Sequence, residues 1–210
     1  MEADNARAQA QATALEAAGF TAIACDPRMA PGDDDRLLAR ALEWSATGDL
    51  VATDGAGTRE AVAPDSLVLI QRGVRVTTTA EVTKEKHRRL SPGRALLSGG
   101  LILTKTVEVQ STRTTTQSER FLLLHQRDGQ PDVVLYEHRL DYRFLGADMQ
   151  PTSIANFEIL LARLRAWAPR VAVDERAALP AFLNSLPVPA DGRVDLALWL
   201  VWLAHLRRPA

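Results

Sequence analysis

The residue types that suit catalysis lie closest together at Glu137, His138 and Asp141. A carboxylate beside a histidine is an arrangement used in general acid–base catalysis, and Ser118 offers a hydroxyl earlier in the chain. The sequence has no Gly-x-Ser-x-Gly turn to expose a serine nucleophile. A hydrolase or transferase site at residues 137–141 is therefore an alternative prediction, placed behind a non-catalytic function.

The possible metal ligands do not have metal-site spacing. None of the four histidines has a second ligand at zinc-like spacing. His125 and His138 could meet across a hairpin, but two histidines without further ligands make a poor site. The run Asp33 to Asp35 cannot turn three consecutive side chains toward one ion. The single cysteine, Cys25, lies in an apolar run and is predicted to be a buried side chain. We predict no metal and no cofactor.

One segment of the chain is strongly basic. Its cationic residues are Lys84, Lys86, Arg88, Arg89 and Arg94. Ser91-Pro92-Gly93 predicts that the segment is a solvated connection between strands. The net charge of the chain is −1, so binding to an anionic partner needs a local patch of this kind. Peripheral binding to an anionic membrane surface or a nucleic acid is an alternative function, and the nucleic acid is the less favoured partner.

The C-terminal stretch VDLALWLVWLAHLRR is apolar on nearly every side of a helix. Such a helix must be covered, because each large apolar side chain gains about 1.5–3 kcal/mol from burial. Burial against the rest of the chain is the first prediction, and docking on a partner or a membrane surface are the alternatives. The residues that would form a docking face are Trp199, Trp202, Leu203 and Leu206.

The elements that must position these residues change along the chain. Residues 2–18 are rich in helix formers and are followed by Gly19, which predicts a helix with a glycine cap. Phe20 to Asp26 predicts a buried strand. Together with the proline-rich and aspartate-rich loop that follows, these elements form a predicted N-terminal segment, residues 1–36.

Short apolar runs alternate with turn residues from Leu37 to Leu145. This pattern predicts a central antiparallel sheet, bent or closed into a partly open barrel, with Tyr142 to Leu145 as a short edge strand. The threonines at 112–116 favour extended structure but bury little, which predicts the rim of the sheet or a turn.

An amphipathic helix is predicted from Ser153 to Trp167, capped by Ser153 or Thr152 and stopped by Pro169. It should lie on the sheet and close a domain that spans residues 37–168. A short helix and a linker lead to the C-terminal helix, so residues 169–210 form a helical extension. The predicted fold class is α+β.

Short antiparallel strands closed by one amphipathic helix resemble the bacterial pleckstrin-homology-like domains. The resemblance rests on the hairpins at Asp54-Gly55 and Asp128-Gly129 and on the helix Ser153 to Trp167, and it covers Leu37 to Ala168. It implies a binding or scaffolding module, sometimes at membranes. It carries no site residue over to this chain.

Composition narrows the class of protein further. A hydrophobic content of 46% can build a substantial core. The polar, acidic N-terminus does not resemble a signal peptide, which predicts a cytoplasmic location. We therefore predict a non-catalytic interaction or scaffolding module that binds a protein partner or a second copy of itself.

Overall fold

The fold is described by a computed structural model. It places the backbone of residues 2–19, 22–90, 104–127, 130–190 and 192–207, and the side chains of residues 6–19, 22–76, 115–127, 130–190 and 192–207. The chain forms two compact units, a larger one of residues 1–75 and 119–210 and a smaller one of residues 76–118.

The described residues contain helices and a mixed sheet, so the protein belongs to the α+β class, as predicted. The helices are α1 (Glu2–Ala17), α2 (Ser153–Trp167), α3 (Pro180–Ser185) and α4 (Arg193–Leu206). The strands are β1 (Leu37–Trp44), β2 (Leu50–Asp54), β3 (Arg59–Val62), β4 (Leu67–Leu90), β5 (Thr104–Gln126), β6 (Val133–Tyr136) and β7 (Ala172–Asp174). Short 3-10 helices occupy Pro27–Met29, Asp33–Asp35, Tyr142–Asp148 and Arg176–Ala178.

The seven strands form one open sheet in the order β3-β2-β1-β6-β5-β4-β7. Pairing is antiparallel between β1 and β2, β2 and β3, and β5 and β6, as the hairpin signals predict. It is parallel between β1 and β6 and between β4 and β7. The prediction of an antiparallel sheet is corrected at these two junctions, which join strands far apart in sequence.

The centre of the sheet is buried on both faces. Phe121 to Leu124 of β5 and Val133 to Tyr136 of β6 are at most 1% exposed. Leu122 and Leu124 belong to one apolar cluster, together with Phe157, Leu160, Leu161 and Leu164 of α2. Phe121 and Leu123 belong to a second cluster, together with Ala177, Leu186, Val194, Leu196, Ala197 and Leu198. Helix α2 therefore covers one face of the sheet, and the C-terminal helices cover the other.

Helix α2 has the predicted bounds because its local signals agree. The hydroxyl of Thr152 accepts a hydrogen bond from the backbone N–H of Ala155 at 3.2 Å and caps the first turn. The apolar residues recur at intervals of three and four, which puts Phe157, Leu161 and Leu164 on the face that is buried.

Several predicted elements differ from the structure. Of the predicted strand Phe20 to Asp26, residues 22–26 are irregular and pair with no strand of the described sheet, and residues 20–21 lie outside the described residues. Tyr142–Asp148 is a 3-10 helix rather than an edge strand, with its first turn capped by the carboxylate of Asp141. The threonines at 112–116 lie inside the continuous strand β5 and mark no turn.

Gly73 lies in β4 against the ring of Phe121. A Cβ atom at position 73 would lie 2.3 Å from Cζ of Phe121, far inside contact distance. Because the ring is fully enclosed, it cannot swing away. We predict that Gly73→Ala lowers the free energy of unfolding by about 3 kcal/mol through overpacking, measured by urea denaturation.

The matched control for this prediction is Gly32→Ala. Gly32 has φ −94° and no atom near the position of a new Cβ, so this substitution should change stability by less than about 0.5 kcal/mol. Equal stability of the two variants would show that Phe121 does not fill the space above Gly73.

Candidate functional site

Glu137 and His138 meet the hydroxyl of Ser153. Ser153 Oγ donates a hydrogen bond to Glu137 Oε1 at 2.9 Å and lies 3.2 Å from His138 Nδ1. The carboxylate of Glu137 is 3% exposed, whereas the side chain of His138 is 56% exposed. The structure thus brings together two of the three predicted residues and adds a serine from the first turn of α2.

This arrangement suits a structural link better than an activated nucleophile. The hydroxyl group of a serine has one proton, and in a serine hydrolase this proton is hydrogen-bonded to the histidine that acts as general base. In this cluster the proton goes to a buried carboxylate, which must keep its donors to remain buried. Arg120 Nε lies 4.0 Å from Glu137 Oε2, and a carboxylate near the N-terminus of a helix is favoured by the helix dipole. The cluster therefore joins the end of β6 to α2.

Asp141 and Ser118 do not take part in this cluster. The Asp141 carboxylate accepts hydrogen bonds from the backbone N–H and Nε of Arg143, at 3.0 and 2.6 Å. These bonds hold the pKa of Asp141 below its usual value. Ser118 is exposed and belongs to the smaller unit. His125 and His138 also lie apart, since the β5–β6 register puts them at opposite ends of the pair.

The basic segment lies mostly within strand β4. Lys84, Lys86, Arg88 and Arg89 are strand residues of the smaller unit, so the predicted connecting loop does not begin at residue 84. Arg94 lies outside the described residues. A loop was predicted because the segment is charged and polar. A solvent-exposed strand can have the same composition, so composition does not distinguish the two.

The C-terminal helix packs into the core. This agrees with the first prediction, burial against the rest of the chain. Leu198 is fully buried and Val201 is 2% exposed. The proposed docking residues Trp199, Trp202 and Leu203 are partly buried, and Leu206 is 57% exposed.

The ring of Trp202 stacks on a buried histidine. The ring centroids of Trp202 and His125 are 4.5 Å apart and the planes are within 6° of parallel. His125 Nε2 lies 2.8 Å from Gln71 Oε1, and Gln71 Nε2 donates to the carbonyl of Leu198 at 3.0 Å. His125 Nδ1 lies 2.7 Å from Asp132 Oδ2 but does not point along a hydrogen bond to it. This chain of contacts ties α4 to β4 and β5.

A second link to α4 is a cluster of two arginines and two aspartates. Asp195, in the first turn of α4, contacts Arg36 Nη1 at 3.3 Å and Arg75 Nη2 at 2.9 Å. Both arginines also contact Asp33, and Tyr136 Oη donates to Asp33 at 2.6 Å. The side chain of Arg36 is 3% exposed. Burial raises the pKa of Tyr136, as does its bond to Asp33, so the phenol stays a donor at neutral pH.

Sequence reasoning missed this cluster. Arg36 and Asp195 are 159 residues apart, and no local spacing relates them. Asp33 was predicted only as a loop residue, but its carboxylate contacts Arg36, Arg75 and Tyr136. The signal in the sequence was Asp195, an aspartate in the first turn of a largely apolar helix, where the helix dipole favours a negative charge.

Among the described residues, no group of three or more histidine, cysteine, aspartate or glutamate side chains is placed to hold a metal ion. Within the same ranges, no helix has both the length and the apolar content needed to cross a membrane.

No family model, curated protein or solved structure matches this chain. The resemblance to pleckstrin-homology-like domains therefore stays a prediction.

The core position of α4 gives a direct test. Leu198→Ala leaves a cavity at a fully buried site and should lower the free energy of unfolding by about 3 kcal/mol in urea denaturation. Leu206→Ala, on the same helix but exposed, should change it by less than about 0.5 kcal/mol. If the two variants were equally stable, α4 would not be part of the core.

The role of Ser153 can be separated from that of His138. Ser153→Ala removes a donor to the buried carboxylate of Glu137 and should cost about 1–3 kcal/mol of stability. His138→Ala removes an exposed ring and should cost less than about 0.5 kcal/mol. A Ser153→Ala variant with the thermal transition of the wild type would refute the structural role of the hydroxyl.

Proposed function

We propose that this protein is a non-catalytic interaction module of the cytoplasm that binds an acidic protein partner along strands β4 and β5. The observation that carries the proposal is the length of these two strands. β4 runs from Leu67 to Leu90, and β5 runs from Thr104 to Gln126.

The neighbouring strands are much shorter than β4 and β5. β7 pairs with β4 over Leu69 to Gln71, and β6 pairs with β5 over Phe121 to Leu124. In the described sheet no third strand lies beside residues 76–90 or 104–118. We call these two stretches the open edges. A pair of strands is marginally stable on its own in water, and an unpaired edge is a template for an added strand.

Strand addition gives affinity through main-chain hydrogen bonds, with specificity from side-chain contacts. The smaller unit has seven lysines and arginines against three glutamates. The remainder of the chain has 18 lysines and arginines against 23 acidic residues. This asymmetry favours a partner whose extended segment is acidic, because a complementary charge steers association and excludes other strands.

Two polar clusters of the larger unit support the same proposal. Ser153 donates a hydrogen bond to Glu137, and Asp33 and Asp195 form ion pairs with two arginines. Catalysis needs groups that are free to contact a substrate. The hydrolase or transferase alternative stays a prediction with no further support.

A second candidate function follows from the same charge asymmetry. An anionic membrane surface or a nucleic acid also presents negative charge to Lys84, Lys86, Arg88 and Arg89. Such binding should fall steeply with salt, since each neutralised phosphate releases counterions. Strand addition depends less on salt because main-chain hydrogen bonds contribute.

The test compares two triple variants with the same change in charge. K84E/K86E/R88E reverses charge on β4, and R7E/R127E/R170E reverses three exposed arginines of the larger unit. Partners cross-linked by the wild type are identified by mass spectrometry, purified and titrated. The β4 variant should bind the purified partner at least about tenfold more weakly, a loss of about 1.4 kcal/mol, and the control should bind as the wild type does.

Equal binding by both variants would contradict the proposal. Each protein is also tested for retention on anionic liposomes and on DNA at low and moderate salt. Retention of the wild type and the control, with loss in the β4 variant and no protein partner, would support the second candidate instead.

A further inference from the structure

An apolar cavity of about 300 Å³ lies between helix α1, the segment after it and helix α4. Ala8, Ala12 and Leu15 of α1 line one side, at the i, i+4 and i+7 spacing that puts side chains on one helix face. Leu196 and Leu200 of α4 line the opposite side. Leu15, on its rim, is 48% exposed, so the space is a pocket open to solvent that leaves apolar side chains uncovered.

Small residues create this space. Ala8 and Ala12 on the helix, and Ala22 and Ala24 on the segment after it, stand where larger apolar side chains would fill the gap. Ala12 is 8% exposed, so its methyl group lies at the inner wall rather than at the rim. The volume of this open pocket lies at the lower end of the range found for ligand-binding sites, about 300–1,000 Å³.

A second, polar cavity of about 200 Å³ adjoins the first. The two share Ala8, Ala24 and Cys25, and the second adds Gln9 and Asp26. The charge of Asp26 is already balanced, because Arg28 donates to its carboxylate at 2.7 and 3.0 Å. The polar cavity therefore offers hydrogen-bond donors and acceptors without an unbalanced charge.

We infer that these adjoining cavities form a binding site for a single-chain amphiphile, with its apolar tail in the larger cavity and an uncharged, hydroxyl-bearing head group in the smaller one. Both cavities are too small for a protein helix, which is about 10–12 Å across. A carboxylate head would compete with the Asp26 carboxylate for Arg28, and an ammonium head would compete with Arg28 for the oxygens of Asp26. The site is independent of the function proposed for β4 and β5.

Cys25 provides a reporter for this site. It lines both cavities and is the single cysteine of the chain, so an alkylating reagent labels one position. Burial raises the pKa of its thiol, and the charge of Asp26 acts in the same direction, so the reaction is followed in mildly alkaline buffer.

The experiment measures the rate at which N-ethylmaleimide alkylates the folded wild-type protein, with and without 1-decanol. Saturating decanol should slow the reaction at least tenfold, and decanoate and decylamine at the same concentration should protect less. No protection by decanol would overturn the site. Equal protection by decanoate or decylamine would overturn the assignment of the head group.

Two variants locate the tail. Ala12→Leu fills the apolar cavity and should abolish protection by decanol, whereas Ala14→Leu adds the same side chain at an exposed position of the same helix and should leave protection unchanged. Circular dichroism confirms that each variant is folded, and the wild-type measurement stands without them. Protection that persists in a folded Ala12→Leu protein would place decanol elsewhere and refute the inference.

Discussion

The structure depends on burying the centre of the sheet on both of its faces. Phe121 to Leu124 and Val133 to Tyr136 expose almost nothing, so neither face can be left to water. An apolar strand buried on both faces requires a layer on each side. Helix α2 supplies one layer and α4 the other, and this requirement explains why the apolar C-terminal helix belongs to the core. The ion pairs of Asp195 and the stacking of Trp202 on His125 fix where α4 sits.

Sequence reasoning succeeded where the signal is local. The bounds of α2 follow from a threonine cap, a three–four apolar repeat and Pro169, all within twenty residues. It failed where the answer depends on distant partners. The parallel pairing of β1 with β6, and the bond of Arg36 to Asp195, join residues about a hundred or more positions apart. Residues 22–26 were predicted as part of a strand from an apolar run, but alanine and aspartate are depleted in strands, and these residues pair with no strand of the described sheet.

At the candidate site, too, the local features could be predicted from the sequence and the distant contacts could not. Glu137 and His138 were found because they are adjacent in sequence, but Ser153 was not, since only the fold brings the first turn of α2 to the end of β6. The basic residues of β4 were recognised from their charge, while their place in a long strand was not. In the larger unit, the Glu137–Ser153 pair and the cluster of Asp33, Asp195 and two arginines join elements of the fold. The length of β4 and β5 is the feature that the core does not explain, and the proposed binding function rests on it.

Hydrogen exchange of the monomer at residue resolution tests this account most directly. In residues 104–118 and 76–90, the amides that face an open edge have no neighbouring strand in the described sheet to accept a hydrogen bond, so they should exchange quickly, at alternate positions along each strand. The amides of Phe121 to Leu124 have strands on both sides and should exchange only on global unfolding. Uniform slow exchange throughout 104–118 in the isolated monomer would mean that the edge is already covered, and would contradict the account.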